Sequence, residues 1–153
     1  MQAKLSVVAL SIATAFALAA CGQKEEQKPV ATPAVPAAPQ ELVVKIGHVA
    51  PMTGPQAHLG KDNENGARLA IEELNAKGVE IAGAKVKFEL LGEDDQADPK
   101  QGSIVAQKLV DAKVNGVIGH LNSGTTIPAS KLYADAGIPQ ISGSATNPKY
   151  TQQ

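Results

Sequence analysis

Two short runs of hydroxyl residues carry the clearest chemistry in the chain: Ser123, Thr125 and Thr126 in one, and Ser142, Ser144 and Thr146 in the other. A hydroxyl donates and accepts hydrogen bonds without bringing charge, so two such clusters suit a zwitterion or another small polar solute. Backbone N–H groups at a helix start near Thr126 can receive a carboxylate. Ordinary helix capping uses Ser and Thr in the same way, and for Thr125 and Thr126 both readings stand. Ser123 lies in Asn122-Ser123-Gly124-Thr125, which lacks the Gly-x-Ser-x-Gly elbow of a nucleophile, and no base is placed to pair with it. His48, His58 and His120 fall on a strand and two loops without the spacing of a metal site. Each reads as a lone polar side chain, with His120 the nearest of them to a ligand. Glu93, Asp94 and Asp95 suit Mg²⁺ or a phosphoacceptor pocket by type. No basic partner or second ligand cluster completes such a site, and a solvated loop ahead of a helix cap is the favoured reading. The stretch Gly54 to Asp62 approaches a P-loop and misses it. Five residues separate Gly54 from Gly60, Asp62 stands where Ser or Thr is required, and Pro55 removes an N–H. No Gly-x-Gly-x-x-Gly opens the first helix, so a dinucleotide site fails as well. The expectation is a protein that is not an enzyme and uses no cofactor and no metal.

Length and composition bound what can hold these groups. The chain has 153 residues, of which 43% are hydrophobic and only 3% aromatic, so its core must come from Ala, Val, Ile and Leu. Fourteen basic residues against 15 acidic ones give no clustered positive surface for nucleic acid. A single Cys, Cys21, excludes an internal disulfide and a cysteine-rich metal centre.

That cysteine closes an address segment. Lys4 precedes the uncharged run Leu5–Ala20, too short for a bilayer span, which needs about 20 residues, and suited to a signal h-region. Leu18-Ala19-Ala20-Cys21 resembles the lipobox of bacterial lipoproteins, in which the Cys is acylated and the chain is cut just before it. Residues 1–20 are therefore expected to be a lipoprotein signal peptide, with Cys21 holding the protein to a lipid membrane at the cell envelope. Gly22 rather than Asp follows it. In a Gram-negative host this resembles sorting to the periplasmic face of the outer membrane; otherwise the anchor lies on the outer face of the cytoplasmic membrane. Residues 21–40, with Pro29, Pro33, Pro36 and Pro39, read as an extended tether.

The folded part, 41–153, alternates strand and helix. Strands are expected at Leu42–Val49, Lys85–Leu91 (half-buried, near an edge), Val114–Gly119 and Ile138–Ile141. Helices are expected at Asp62–Lys77, Pro99–Ala112 (capped by Asp98) and Ile127–Ala136. Asp62 and Glu64 sit near the start of the first helix, and Ile104, Val105, Lys108, Leu109 and Ala112 lie on or near one face of the second. This order implies an α/β fold, a mostly parallel sheet with helices on both faces. Ligands then sit outside the carboxyl ends of the strands, where the loops 52–60, 120–126 and 142–146 emerge.

The residues from Val44 onward resemble the first lobe of the leucine/isoleucine/valine-binding proteins, the type I periplasmic binding proteins of branched-chain amino-acid ABC transporters. The likeness is carried in order by Val44–Pro55, Asn65-Gly66-Ala67, Ile71–Gly78, Asp94-Asp95, Asp98–Gln101, Val117–Leu121 and Pro128-Ala129-Ser130. It implies a solute-binding role with an ABC permease as partner. It also implies that Ser123 meets a ligand carboxylate, that the backbone at Ser144 meets the ligand amino and carboxylate groups, and that Thr146 contacts the head group. Leu59, His120, Asn122 and Ala145 are expected on the ligand side. Leu59 stands where the family has an aromatic, which leaves the preferred ligand side chain open. Ala97 and Asn122 stand where many members have a disulfide.

The resemblance further implies a second lobe and a hinge beyond the head-group loop, so a chain ending at Gln153 is expected not to bind alone. An amino-acid or amide sensor lobe of the same fold, and a non-binding surface lipoprotein, are the other functions weighed, with an enzyme the poorest.

Overall fold

The computed structural model describes residues 41–152; the expected signal peptide, Cys21 and the tether lie outside the described residues. Five strands form one sheet in the order β2-β3-β1-β4-β5: β1 (Glu41–Ala50), β2 (Glu80–Ile81), β3 (Ala84–Asp94), β4 (Gly116–Gly119) and β5 (Gln140–Ile141). β1 pairs in parallel with β3 and β4, and β4 with β5. Only the two-residue β2 runs antiparallel, in a hairpin with the start of β3. The mostly parallel α/β architecture expected from the sequence is what forms.

Strand parity assigns the two faces. Gly47, Val49, Leu91 and Val117 turn toward α2 (Pro99–Asp111) and α3 (Ser123–Asp135), where Val105, Ala106, Leu109, Ala129 and Tyr133 complete the buried core. His48 and Phe88 lie on the face of α1 (Ala57–Lys77), whose Ala67 and Ile71 are buried. That face is covered only in part: an apolar groove of about 240 Å³ runs between α1 and the strands, lined by Ile46, Leu74, Phe88, Ile118 and Ile141, among others.

Several boundaries differ from expectation for identifiable reasons. α1 begins at Ala57, not Asp62, and carries Gly60 inside it. This glycine reads locally as a helix breaker, but a Cβ there would stand 2.0 Å from the Pro51 carbonyl oxygen, so the close approach of the incoming chain requires it. Asp62 and Glu64 consequently fall beyond the first turn, which contains no acidic residue. β3 runs on to Asp94, and Glu93 bonds Lys108 of α2 at 2.6 Å. α2 is capped as expected, Asp98 accepting the Gln101 N–H at 2.7 Å. Its inner face is Gly102, Val105, Ala106 and Leu109, while Ile104 is 54% exposed. β4 begins at Gly116, leaving buried Val114 just outside the ladder, and β5 begins only at Gln140. α3 starts at Ser123 with Asn122 as its cap residue, so most of the expected loop 120–126 is helical.

Candidate functional site

The strand order reverses direction between β1 and β4: the chain passes from β1 outward to β3, then crosses to β4 and continues to β5 on the other side. Loops leaving neighbouring strands at such a point part to opposite sides and open a crevice, where ligands of open α/β sheets bind. Here those loops are 51–56 and 120–122. They are joined across the gap by one bond, Asn122 Nδ2 donating to Gln56 Oε1 at 2.9 Å.

The third loop of the site, Ser142–Asn147, docks onto the second by hydroxyl chemistry. Ser123 Oγ accepts the backbone N–H groups of Thr146 (3.1 Å) and Asn147 (3.2 Å). Ser144 Oγ donates to the Leu121 carbonyl at 2.7 Å, and Ser142 Oγ donates to the His120 carbonyl at 2.7 Å while accepting the Ala145 N–H at 3.0 Å. Ser123, in the first turn of α3, still has its own O–H to donate, and it sits where the N–H groups of a helix start favour an anion. A groove of about 680 Å³ adjoins these loops, lined by Leu59, Asp62, Asn63 and Gly66 of α1 together with Leu121, Asn122 and Ser144. Among the described residues, Asp62 is the one charged side chain on that lining and no basic residue contributes to it, so an anionic group bound there is met on this lobe by neutral donors.

Two adjacent carboxylates fasten the loops to the sheet. Asp94, on the α1 face at the end of β3, accepts the Met52 N–H (2.8 Å), the Thr53 hydroxyl (2.6 Å) and the Gln96 N–H (2.8 Å). Burial opposes its ionisation, but these hydrogen bonds prevail and hold the carboxyl below its ordinary range. Asp95 is fully buried on the opposite face. Its Oδ2 lies 3.0 Å from His120 Nδ1, its Oδ1 accepts the Ala97 N–H at 3.0 Å, and His120 Nε2 lies 3.2 Å from the Tyr133 hydroxyl. Burial again works against the charge, and hydrogen bonds from His120, Ala97 and the Thr125 hydroxyl overcome it, so Asp95 too titrates below the usual range. Burial, with the negative charges of Asp95 and Glu93, pushes the Tyr133 phenol far up and keeps it protonated.

The expected solvated acidic loop is thus corrected: Asp95 is buried and Asp94 is tied into the first loop. His120 is corrected as well. Its side chain is fully buried, with both ring nitrogens engaged, and its part in the site is played by its carbonyl. His48 is likewise buried, its Nε2 meeting Asn63 Oδ1 at 3.0 Å, and His58 lies exposed on α1 rather than on a loop. Leu59 also belongs to α1 and is 47% exposed. Ser123, Ser144, Ala145, Thr146 and Asn122 come together as the loop order implied. Among the described residues no three His, Cys, Asp or Glu side chains converge as a metal site would require.

A family model described as periplasmic binding protein matches residues 43–153. The chain belongs to the periplasmic binding protein family. It is 49% identical over 110 residues to "Leu/Ile/Val-binding protein homolog 1" of Brucella abortus, covering 72% of this chain and 29% of that protein. It is 48% identical over the same length to the leucine-specific-binding protein of Salmonella typhimurium, with the same coverage. Among solved structures, LivJ of Streptococcus pneumoniae, the substrate-binding protein of a branched-chain amino acid transporter in complex with isoleucine, superposes with a TM-score of 0.65 at 34% identity, covering 72% of this chain and 31% of that one. A solute-binding protein of an ABC transporter from Rhodopseudomonas palustris, in complex with 3,4-dihydroxybenzoic acid, gives 0.62 at 32% identity, covering 72% and 29%. These relatives are solute-binding proteins and not enzymes. The chain spans less than a third of the length of the periplasmic binding proteins it matches.

Proposed function

We propose that this chain is the amino-terminal lobe of the substrate-binding component of an ABC importer for branched-chain or related amino acids. The observation that carries the reading is the meeting of the Ser123 and Ser144 loops at the carboxyl edge of one parallel sheet, with Ser123 Oγ bonded to the Thr146 N–H. In this reading the Ser123 hydroxyl donates to the ligand carboxylate. The backbone of Ser144 and Thr146 and the Thr146 hydroxyl meet the head group, and Leu59, Asn122 and Ala145 border it. Neutral donors suit a zwitterion, whose two charges already balance. The names of the relatives support amino acids, and the dihydroxybenzoate complex of one of them is the reason to include an aromatic acid in the trial. The remainder of the ligand contacts belongs to a second lobe in this reading, and an ABC permease receives the solute.

Calorimetry on the complete gene product with leucine, isoleucine, valine and 3,4-dihydroxybenzoate tests this. One of the amino acids is expected to bind, and Ser123→Ala to weaken it by roughly tenfold or more, since it removes a hydrogen bond to a charged group. An unchanged affinity in Ser123→Ala counts against the assignment. The same reading puts the protein at the cell envelope, with 1–20 a signal peptide, 21–40 a tether and Cys21 acylated. An unmodified Cys21 thiol in the mass spectrum of the mature protein would remove the anchor and leave solute binding untouched.

A further inference from the structure

We infer that Asp95, His120 and Tyr133 form a buried relay whose work is to position the ligand loop, so that these three side chains set solute affinity without touching the solute; this rests on the amino-acid-binding reading above. The three come from the end of β3, the end of β4 and the middle of α3, and all are fully buried. The direction of the hydrogen bonds follows from the chemistry of their ends. Asp95, held ionised, only accepts, so Nδ1 of His120 carries the hydrogen between them. Tyr133 keeps its phenolic hydrogen and gives it to Nε2. One imidazole is thereby fixed at both nitrogens, to the end of β3 on one side and to the middle of α3 on the other.

The consequence lies on the other side of the same residue. The His120 carbonyl accepts the Ser142 hydroxyl at 2.7 Å and the Thr126 hydroxyl at 3.0 Å. Ser142 in turn takes the Ala145 N–H, and the next carbonyl, that of Leu121, takes the Ser144 hydroxyl. The whole loop from Ser142 to Thr146 hangs on two consecutive carbonyls whose orientation is set by where the His120 ring is clamped. The strand alternation that would send this ring to the α1 face ends at Gly119, with φ 124°; a Cβ there would stand 2.3 Å from the Val49 carbonyl oxygen. His120 accordingly turns to the face of α3, where Asp95 and Tyr133 are waiting.

The test uses the complete gene product, with L-leucine as the probe and two conservative variants. Tyr133→Phe keeps the packing and deletes one donor. Asp95→Asn keeps the volume but has a single oxygen to serve both the His120 ring and the Ala97 N–H. Val114→Ala, a core change at the opposite end of the sheet, is the control for lost stability alone. The amides of Ala145 and Thr146 in the ligand-free protein are expected to exchange roughly threefold to tenfold faster in Tyr133→Phe, and faster still in Asp95→Asn. L-leucine affinity should fall by a similar factor. Val114→Ala should move the unfolding midpoint but neither of these readouts. Amide exchange unchanged in both relay variants, or affinity falling equally in Val114→Ala, overturns the inference. If the wild-type protein ignores L-leucine, the choice of leucine fails, and the exchange rates at Ala145 and Thr146 still decide whether the relay positions the loop.

Discussion

The loop after β1 and the loop after β4 are held by neighbouring carboxylates in opposite surroundings. Asp94 is half-buried and accepts two backbone N–H groups, of Met52 and Gln96, and the Thr53 hydroxyl. Asp95 is fully buried and reaches a histidine 25 residues away. Water can replace most of what Asp94 offers, whereas nothing replaces Asp95 once it is lost, because a buried donor left alone carries its whole desolvation cost. Alternation along β3 is what sends two identical side chains into such different settings.

That contrast is open to direct attack. Asp95→Ala leaves His120 and the Ala97 N–H without their acceptor and is expected to cost about 3 kcal/mol or more in urea unfolding of the complete protein. A loss no larger than that of Asp94→Ala, expected at about 1–2 kcal/mol, would mean that burial does not set the difference. Acid sharpens the comparison. Both carboxyls titrate below their ordinary value in the folded protein. Their contribution is therefore complete above the unfolded Asp pKa of about 3.9 and is lost as pH falls through the lower folded values. Asp94→Asn and Asp95→Asn should each flatten the decline of stability below about pH 4, and a decline as steep as in the wild type would deny the linkage. The strap between the two loops is weaker than either carboxylate: Gln56→Ala removes the partner of Asn122 and is expected to cost about 1 kcal/mol in the same unfolding measurement. Smallest of all is Lys131→Ala, which breaks the exposed i,i+4 pair with Asp135 on α3 and should shift stability by less than about 0.5 kcal/mol; a larger shift would give surface charge a weight that the geometry does not.

Local signals were the ones legible in the sequence. The β-branched run 42–49, the Asp98-Pro99 cap and the strand–helix alternation act through neighbouring residues, and the elements formed where they pointed. The parallel order alone was enough to bring Ser123 and Ser144 to one edge. What escaped was tertiary in origin. Gly60 resembles a breaker until Pro51 is known to press against it. Ser123-Gly124-Thr125-Thr126 reads as a loop, although its hydroxyls fold back inside a helix, with Thr125 Oγ1 3.0 Å and Thr126 Oγ1 2.8 Å from the Asn122 carbonyl oxygen. Asp95 continues the inward parity of Leu91 and Glu93, but Gly92 interrupts the apolar pattern and hides that β3 goes on. His120 was out of reach for the converse reason, since the alternation that would place it fails at Gly119.

The outer margin of β3 shows how this sheet limits its own growth. β2 guards only the first residues of that strand. Farther along, the Asn75 carboxamide binds Phe88 on both backbone groups, Nδ2 to the carbonyl at 2.9 Å and Oδ1 from the N–H at 2.8 Å. A single side chain thus imitates one rung of an adjoining strand and occupies a place where a foreign peptide would dock. The other margin is guarded differently: β5 is two residues long, its Gln140 carbonyl accepts the Tyr150 hydroxyl at 2.9 Å, and its Ile141 is 72% exposed. Each margin of the sheet thus has backbone groups already claimed by a side chain from another element, Asn75 of α1 on β3 and Tyr150 on β5, which leaves fewer free rungs for a foreign strand.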